Sequence, residues 1–511
     1  MLYNLDWLKA GEQFPPLCEQ PRIQRYRENT ALFNGDHFVT SPRSGGILEM
    51  YRTCAQRISR VVGNFEDVVS FPILLNYQRL MSMKMADLVC GEYPTITGAT
   101  PEENEQVREM RESTDFDAKL YSTILDISRY GDAIWRRYID EDGNKTFTCW
   151  DPREWYPIVT QDGTLTVTCH CLCWRENRSP DYLKPDWYLH VQLHWCDKER
   201  RGTYEEREYK MSSDGTSLMK LLNTATYDSG FDECAVEHLK AFSTTNTVYG
   251  YDDYMQIDSV LSEIIVRVSQ ISAILDKHAD PNITGPASML DLNPETGEYY
   301  LKSGKFFATS VGENKPEYMT WDGQLSAAFQ QLEFLINQLF LLSEMGSALL
   351  GATGSSSEAV SGTAMRFKMV NPLAKARRIA NSLTRPVKRL FSSLNESGPI
   401  DIKNISVFWS DGLPDDPREN IENCKLATGA TQMMPLETAI MEYFNRSNEE
   451  AKRWIDMIRK ETEDRMKMTQ QMQGNEPDDP NKPGPQDGTG VNSQKKGSET
   501  GLKNFSGLNN K

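Results

Sequence analysis

Residues 249–395 hold two long apolar helical stripes, with a stretch punctuated by Gly and Pro between them and a helix of purely basic charge after them. No short motif constrains the fold as much as this order does. Over 252–278, Tyr254, Ile257, Val260, Leu261, Ile264, Ile265, Val268, Ile271, Ile274 and Leu275 recur at steps of three and four, which predicts one continuous helix. At about 1.5 Å per residue it spans roughly 40 Å, longer than compact domains ordinarily need. Over 324–350, Leu325, Phe329, Leu332, Phe334, Leu335, Leu339, Phe340, Leu342 and Met345 cover more than one face, so this second helix requires neighbours on several sides.

Between the two, Pro281, Gly285, Pro286, Pro294, Gly297, Gly304, Gly312 and Pro316 cut short strand-like runs such as 299–301 and 305–308. That pattern predicts a small β-containing lobe hung from a helical hairpin. Residues 351–357 (Gly-Ala-Thr-Gly-Ser-Ser-Ser) are too polar for a core and predict an exposed loop. The third helix, 358–395, has no acidic residue after Glu358, yet carries Arg366, Lys368, Lys375, Arg377, Arg378, Arg385, Lys388 and Arg389. Pro372 and Pro386 interrupt its hydrogen bonding, and a kink near Asn371 is expected.

The remainder reads as an α+β lobe. Helical stripes run from Ile47 to Val62, stopped by Gly63, and from Ile73 to Val89, stopped by Gly91. From Ala133 the period changes to two, predicting strands near 134–139, 145–150, 164–174 and 187–196, with Asp142-Gly143 and Asp162-Gly163 as hairpin turns. A further strand is expected over 401–409, then a helix opening at Pro417, and one capped by Ser447 and Glu450 that runs to about Met472. From Gly474 onward too few apolar residues remain to offset ordering entropy, so a disordered tail is expected.

At 511 residues with 39% apolar content, the chain can bury several cores. Its net charge of -17 argues against a protein that coats nucleic acid, since backbone binding relies on an excess of Lys and Arg. The most apolar window, 334–350, is broken by Asn337, Gln338 and Glu344 and is no membrane span. Ten cysteines without paired spacing, and a first segment with Asp6 and Lys9 but no apolar leader, point to a reducing cytosol.

Catalytic and metal motifs are missing from the sequence. There is no phosphate-cradling Gly-x-x-x-x-Gly-Lys-Ser/Thr, because Glu358 follows the 351–357 loop, and no His-Glu-x-x-His. Cys169-His170-Cys171-Leu172-Cys173, with Cys149 or Cys196 nearby, is the best metal candidate, but its spacing is not that of zinc knuckles, and small residues packing on a sheet are the reading preferred. Asp252 and Asp253 fit a helix N-terminus. No catalytic residue, metal or cofactor is expected.

The segment order resembles the portal proteins of tailed bacteriophages, in particular the type found in long-tailed siphophages. The strings Tyr130-Gly131-Asp132-Ala133, Asp151-Pro152 with Trp155 and Pro157, and Tyr249-Gly250-Tyr251-Asp252-Asp253 are similar to portal segments as well. The resemblance implies a portal fold: a wing (1–244), a first stem helix (245–278), a clip (279–322), a second stem helix (323–350), a tunnel loop (351–357), a kinked helix with a returning wing strand (358–415), crown helices (416–473) and a tail (474–511). It also implies a ring of twelve copies at one capsid vertex, a channel for double-stranded DNA during packaging and ejection, and assembly in the host cytoplasm. The terminase large subunit, a head-tail adaptor, and the major capsid and scaffolding proteins would be its partners.

On that reading Leu261, Ile264, Ile265, Val268, Leu332, Leu335 and Leu339 seal neighbouring copies. Thr353, Gly354, Ser355, Ser356 and Ser357 would touch DNA through hydroxyls and amides. Lys302, Lys305 and Lys315 would equip the clip, either for DNA or an acidic motor surface or as ordinary solvated charges. The basic helix would meet either DNA or the acidic faces of neighbouring copies. A DNA-processing enzyme and a non-viral helical scaffold are the alternative classes.

Overall fold

The computed structural model describes residues 1–35, 73, 75–181, 183–197, 199, 201–279, 283–284, 290–292, 294, 297, 299–301, 312, 317–318, 325–349, 367–395, 398–410, 417–429, 432–444 and 448–473. They fall into two units, Met1–Leu413 and Pro414–Lys511.

Among the described residues, the first unit opens with four α-helices. Helix α1 (Gln20–Asn34) stops at Gly35, and α2 (Tyr77–Cys90) starts where the Asn76 side chain accepts from the Arg79 amide. Helix α3 (Pro101–Ser113) begins with a capping box between Thr100 and Glu103, and α4 (Phe116–Tyr130) ends at Gly131. Strand β1 (Thr95–Thr97) lies between α2 and α3.

Two antiparallel sheets follow. Strands β2 (Asp132–Ile139) and β3 (Lys145–Trp150) form the hairpin expected around Asp142-Gly143. A larger sheet is ordered β4-β5-β6-β7-β8, from β4 (Trp155–Val159), β5 (Val167–Asn177), β6 (Trp187–Cys196), β7 (Gly202–Met211) and β8 (Leu218–Asp228). Strand β9 (Val236–Lys240) returns to pair with β2, giving the order β3-β2-β9. One face of the larger sheet buries Cys171, Cys173, Leu189, Val191, Leu193 and Tyr209 against Leu2, Trp7, Phe14 and Ile23 from the first segment. That segment also pairs with the start of β8, through Gly11 N to Leu218 O (2.7 Å) and Phe14 N to Thr216 O (2.8 Å). Beyond Leu218 the outer edge of β8 has no strand partner among the described residues, and Met219, Leu221, Leu222 and Tyr227 are exposed.

Helix α5 (Asp258–Ala279) leads to two short antiparallel pairs, β10 (Ile283–Thr284) with β13 (Glu317–Tyr318) and β11 (Leu290–Leu292) with β12 (Tyr299–Leu301). Then come α6 (Leu325–Leu342), the single turn α7 (Gly346–Leu349), α8 (Val370–Leu394) and β14 (Ser406–Phe408), which pairs with β1. The main core joins α2, α4, α8 and the smaller sheet, with Phe116 packed on Phe391 (5.0 Å between centroids) and on Phe147 and Trp135.

Several expected boundaries move; the strand expected over 401–409 is confined to Ser406–Phe408, and the helix expected from Ile73 begins at Tyr77. Helix α5 starts six residues later than its apolar phase predicts, because the Asp252 carboxylate accepts the Tyr254 and Met255 amides (3.0 and 2.9 Å) and holds 252–257 in turns. Helix α6 ends at Leu342, where Glu344 (φ 58°) and Gly346 (φ 67°) turn the chain. The break in the basic helix falls at Met369, which places Pro372 in the first turn of α8, where a missing N–H costs nothing. The 47–62 stripe and the tail from Gly474 lie outside the described residues.

In the second unit α9 (Pro417–Thr428), α10 (Leu436–Phe444) and α11 (Asn448–Gln473) pack in sequence, burying Ala427, Ala439, Ile440 and Ala451, with Phe444 against Trp454 (5.8 Å).

Candidate functional site

The three strings that look family-like in the sequence meet at one junction. Gly131 and Gly250 touch backbone to backbone, so a Cβ on Gly250 would sit 2.0 Å from the Gly131 oxygen. Gly131 also needs its left-handed φ of +83° to end α4. Beside them the buried Asp132 carboxylate accepts from the Gly250 amide (2.8 Å), pairs with His238 Nε2 (2.6 Å) and accepts from the Tyr26 hydroxyl. Burial works to raise the pKa of Asp132, but His238, Tyr26 and the amide outweigh it and hold the group below the usual carboxylate range. Trp155 packs on His238 (4.3 Å) and Tyr249 (5.9 Å), while Arg22 donates to the Pro152 and Trp155 carbonyls (2.9 and 2.7 Å). From this junction the chain enters α5, where Arg25 grips Asp252 (3.1 Å) and Asp258 (2.8 Å).

The same entry anchors the basic helix. Lys375 is buried, with its ammonium 2.7 Å from Asp253 and 3.1 Å from the Ser343 carbonyl. Asp253 in turn accepts from Ser128 (2.6 Å), and Ser128, Ser82 and Tyr254 continue the chain of hydroxyls (2.9 and 2.7 Å). Thus Asp253 clamps three elements instead of merely capping α5. Arg378 pairs with Glu344 (2.7 Å), and Arg389 pairs with Glu237 (3.2 Å) and Glu233 (3.8 Å). Arg377, Arg385 and Lys388 form no ion pair with a described residue; the first two are exposed, as is Lys368.

The long-helix stripe is consumed differently from the expectation. Leu261, Ile264 and Ile265 are buried inside this one chain, the first and last against Leu32 and Ile264 in the main core. They offer no surface to a neighbouring copy, which corrects their assignment to an interface. Leu339 is also fully buried, and Val268, Leu332 and Leu335 pack at the margin of the main core. What α6 leaves open is another set: Phe329, Phe334 and Leu341, each more than half exposed. Thr353, Gly354, Ser355, Ser356, Ser357, Lys302, Lys305, Lys315 and Arg366 lie outside the described residues.

The family model described as phage portal protein, SPP1 Gp6-like, matches residues 18–464. The chain belongs to the phage portal protein family. Among solved structures, the neck of an empty GTA particle computed with C6 symmetry is similar at 13% identity and a TM-score of 0.43, covering 79% of this chain and 94% of that one. The neck of a native GTA particle computed with C12 symmetry is similar at 11% identity and a TM-score of 0.40, covering 72% and 89%. No curated protein matches the sequence.

In this portal-family chain a cleft of about 850 Å³ lies between the two sheets and α8 and is lined by His170, Cys196, Cys234, Glu237, His238 and Arg389 among others. Its groups are engaged structurally. Arg389 holds Glu237, Asp132 holds His238, and His170 Nδ1 accepts from Trp155 Nε1 (3.1 Å), with burial pushing the His170 pKa down to about 3. Burial also pushes the Cys234 thiol up to about 12, far from a nucleophilic thiolate at neutral pH. In the Cys-His-Cys-Leu-Cys run, Cys171 and Cys173 pack into the sheet core with Cys169 beside them, while His170 faces the other way. No group of three metal-ligating side chains is assembled among the described residues, and no described helix is long and apolar enough to cross a membrane. The Lys375–Asp253 and Asp132–Gly250 contacts were invisible to motif reading; the only sequence signal was that acidic residues and glycines recur inside the family-like strings.

Proposed function

We propose that this chain closes into a ring that forms the portal at one capsid vertex, serving as a non-enzymatic channel for double-stranded DNA. The match of the portal family over residues 18–464 carries the reading. Head-to-tail contacts use two different surfaces of each copy and close only when the rotation per copy divides a full turn; twelve copies are the number proposed. Phe329, Phe334 and Leu341 on α6 favour this reading, since three large apolar side chains exposed along one helix call for a covering partner. In this scheme residues 1–244 act as the wing toward the capsid shell, α5 and α6 as the stem, and 279–322 as the clip that docks the terminase motor and later an adaptor. Residues 351–357 are the loop that touches DNA, and 416–473 form the crown. A wall sharing the chain's net charge of -17 would keep passing DNA from sticking. Negative-stain class averages of the purified protein test the proposal: rings with a central pore and high rotational symmetry are expected, whereas isolated particles or open strings would overturn it.

A further inference from the structure

Helix α8 spends its cations in two ways. Lys375, Arg378 and Arg389 are each paired with a carboxylate of their own chain. Arg377, Arg385 and Lys388 are left over, and at 100° per residue they fall on one stripe roughly 80° wide. Helix α3 presents the counterpart. Glu102, Glu109 and Glu112 are exposed, form no ion pair among the described residues, and share a stripe of roughly the same width; Glu105, on the same stripe, is held by Arg108. The free glutamates are spaced by seven and three residues and the free cations by eight and three, so both stripes run about 15 to 17 Å along their helices.

Within one chain the stripes do not neutralise each other. Helix α3 approaches α8 near Asn395, whose amide donates to Gln106 (3.3 Å), beyond the last cation. We infer that the free cations of α8 in one copy dock, with the two helices parallel, on the free glutamates of α3 in the next copy. This rests on the ring reading above and names one of its contacts. Two surfaces of one chain that complement each other without meeting are what a head-to-tail contact requires. Opposed charges also fix the register between copies that otherwise repel.

A protein partner fits the stripe better than DNA phosphates do. Arg377 and Asn381 line a groove of about 330 Å³ with Leu88, Leu373, Phe408 and Trp409, and Phe408 and Val370 are more than half exposed beside it. Exposed apolar surface contributes nothing to a phosphate contact, whereas a neighbouring protein surface can cover it.

Charge reversal tests this contact. The triple variant Arg377→Glu/Arg385→Glu/Lys388→Glu and the triple variant Glu102→Lys/Glu109→Lys/Glu112→Lys should each lower the fraction of chains in rings at least about tenfold at 0.1 M salt. An equimolar mixture of the two should restore rings, because each reversed stripe then meets its complement. Rings from either variant alone would overturn the contact, and a loss of DNA retention from such rings would assign the cations to DNA instead. Loss without restoration in the mixture would also overturn it. Wild-type protein that forms no rings would defeat the ring reading itself, a result separable from the others. Copies bearing Arg385→Cys mixed with copies bearing Glu109→Cys, treated with a short bis-maleimide, should give a cross-linked dimer that neither single variant gives; its absence counts against the contact whatever the triple variants do.

Discussion

Lys375 and His170 show how burial reassigns a residue whose type suggests something else. Lys375 sits in a run of eight cations, yet its ammonium is shared between Asp253 and the Ser343 carbonyl and faces neither solvent nor a polyanion. His170 sits among three cysteines, yet its Nδ1 accepts from Trp155 and its environment keeps it neutral. With a folded pKa of about 3 against about 6.5 unfolded, the unfolded chain binds more protons between those values. Stability from this group is therefore complete above about pH 6.5 and falls as pH drops, by about 1.4 kcal/mol per pH unit. His170→Gln keeps an acceptor for Trp155 and removes the titration. Its urea-unfolding free energy between pH 6.5 and 4.5 should decline less steeply than wild type by about that amount; equal slopes would mean that the imidazole is already solvated. Sequence spacing could place these residues on an element but could not supply the partners, because Asp253 and Lys375 are joined only through the tertiary fold.

Elements were readable where one face is buried and the turns are marked. The β2–β3 hairpin and β6 follow the alternation and the Asp-Gly turn, with Gly143 at φ +88°. Strands β7 and β8 escaped because β7 alternates among half-buried charged residues and β8 is exposed along nearly its whole length, so neither shows an apolar half. The stripe of α5 was read correctly as apolar, but its Leu261, Ile264 and Ile265 are buried by their own chain, since periodicity reports that a face is buried and not what buries it. At this scale the junction is set by the crossing of the α4 end with the chain entering α5. Gly250→Ala would drive a methyl against the Gly131 carbonyl, which is backbone and cannot swing aside. The variant should lose about 2–4 kcal/mol in chemical unfolding; a loss under about 0.5 kcal/mol would mean that the two segments part easily.

For the whole molecule, the order of segments carried the family assignment when no single motif did, and the match over residues 18–464 agrees with it. The 351–357 loop and the 279–322 lobe owe their assigned roles to that order alone. Deleting 354–357 should leave ring assembly unchanged while lowering the DNA packaged per particle, measured as nuclease-protected DNA; full packaging would reduce the loop to a connector. The glycine contact bears on motion at this scale. Helix α5 leaves it as a rod of 22 residues, about 33 Å long, so each degree of tilt at its base carries the far end roughly 0.6 Å. Two missing methyl groups thereby set the base of that rod: they let the end of α4 and the segment that enters α5 lie in direct backbone contact, and the Asp132 carboxylate ties that contact to the smaller sheet.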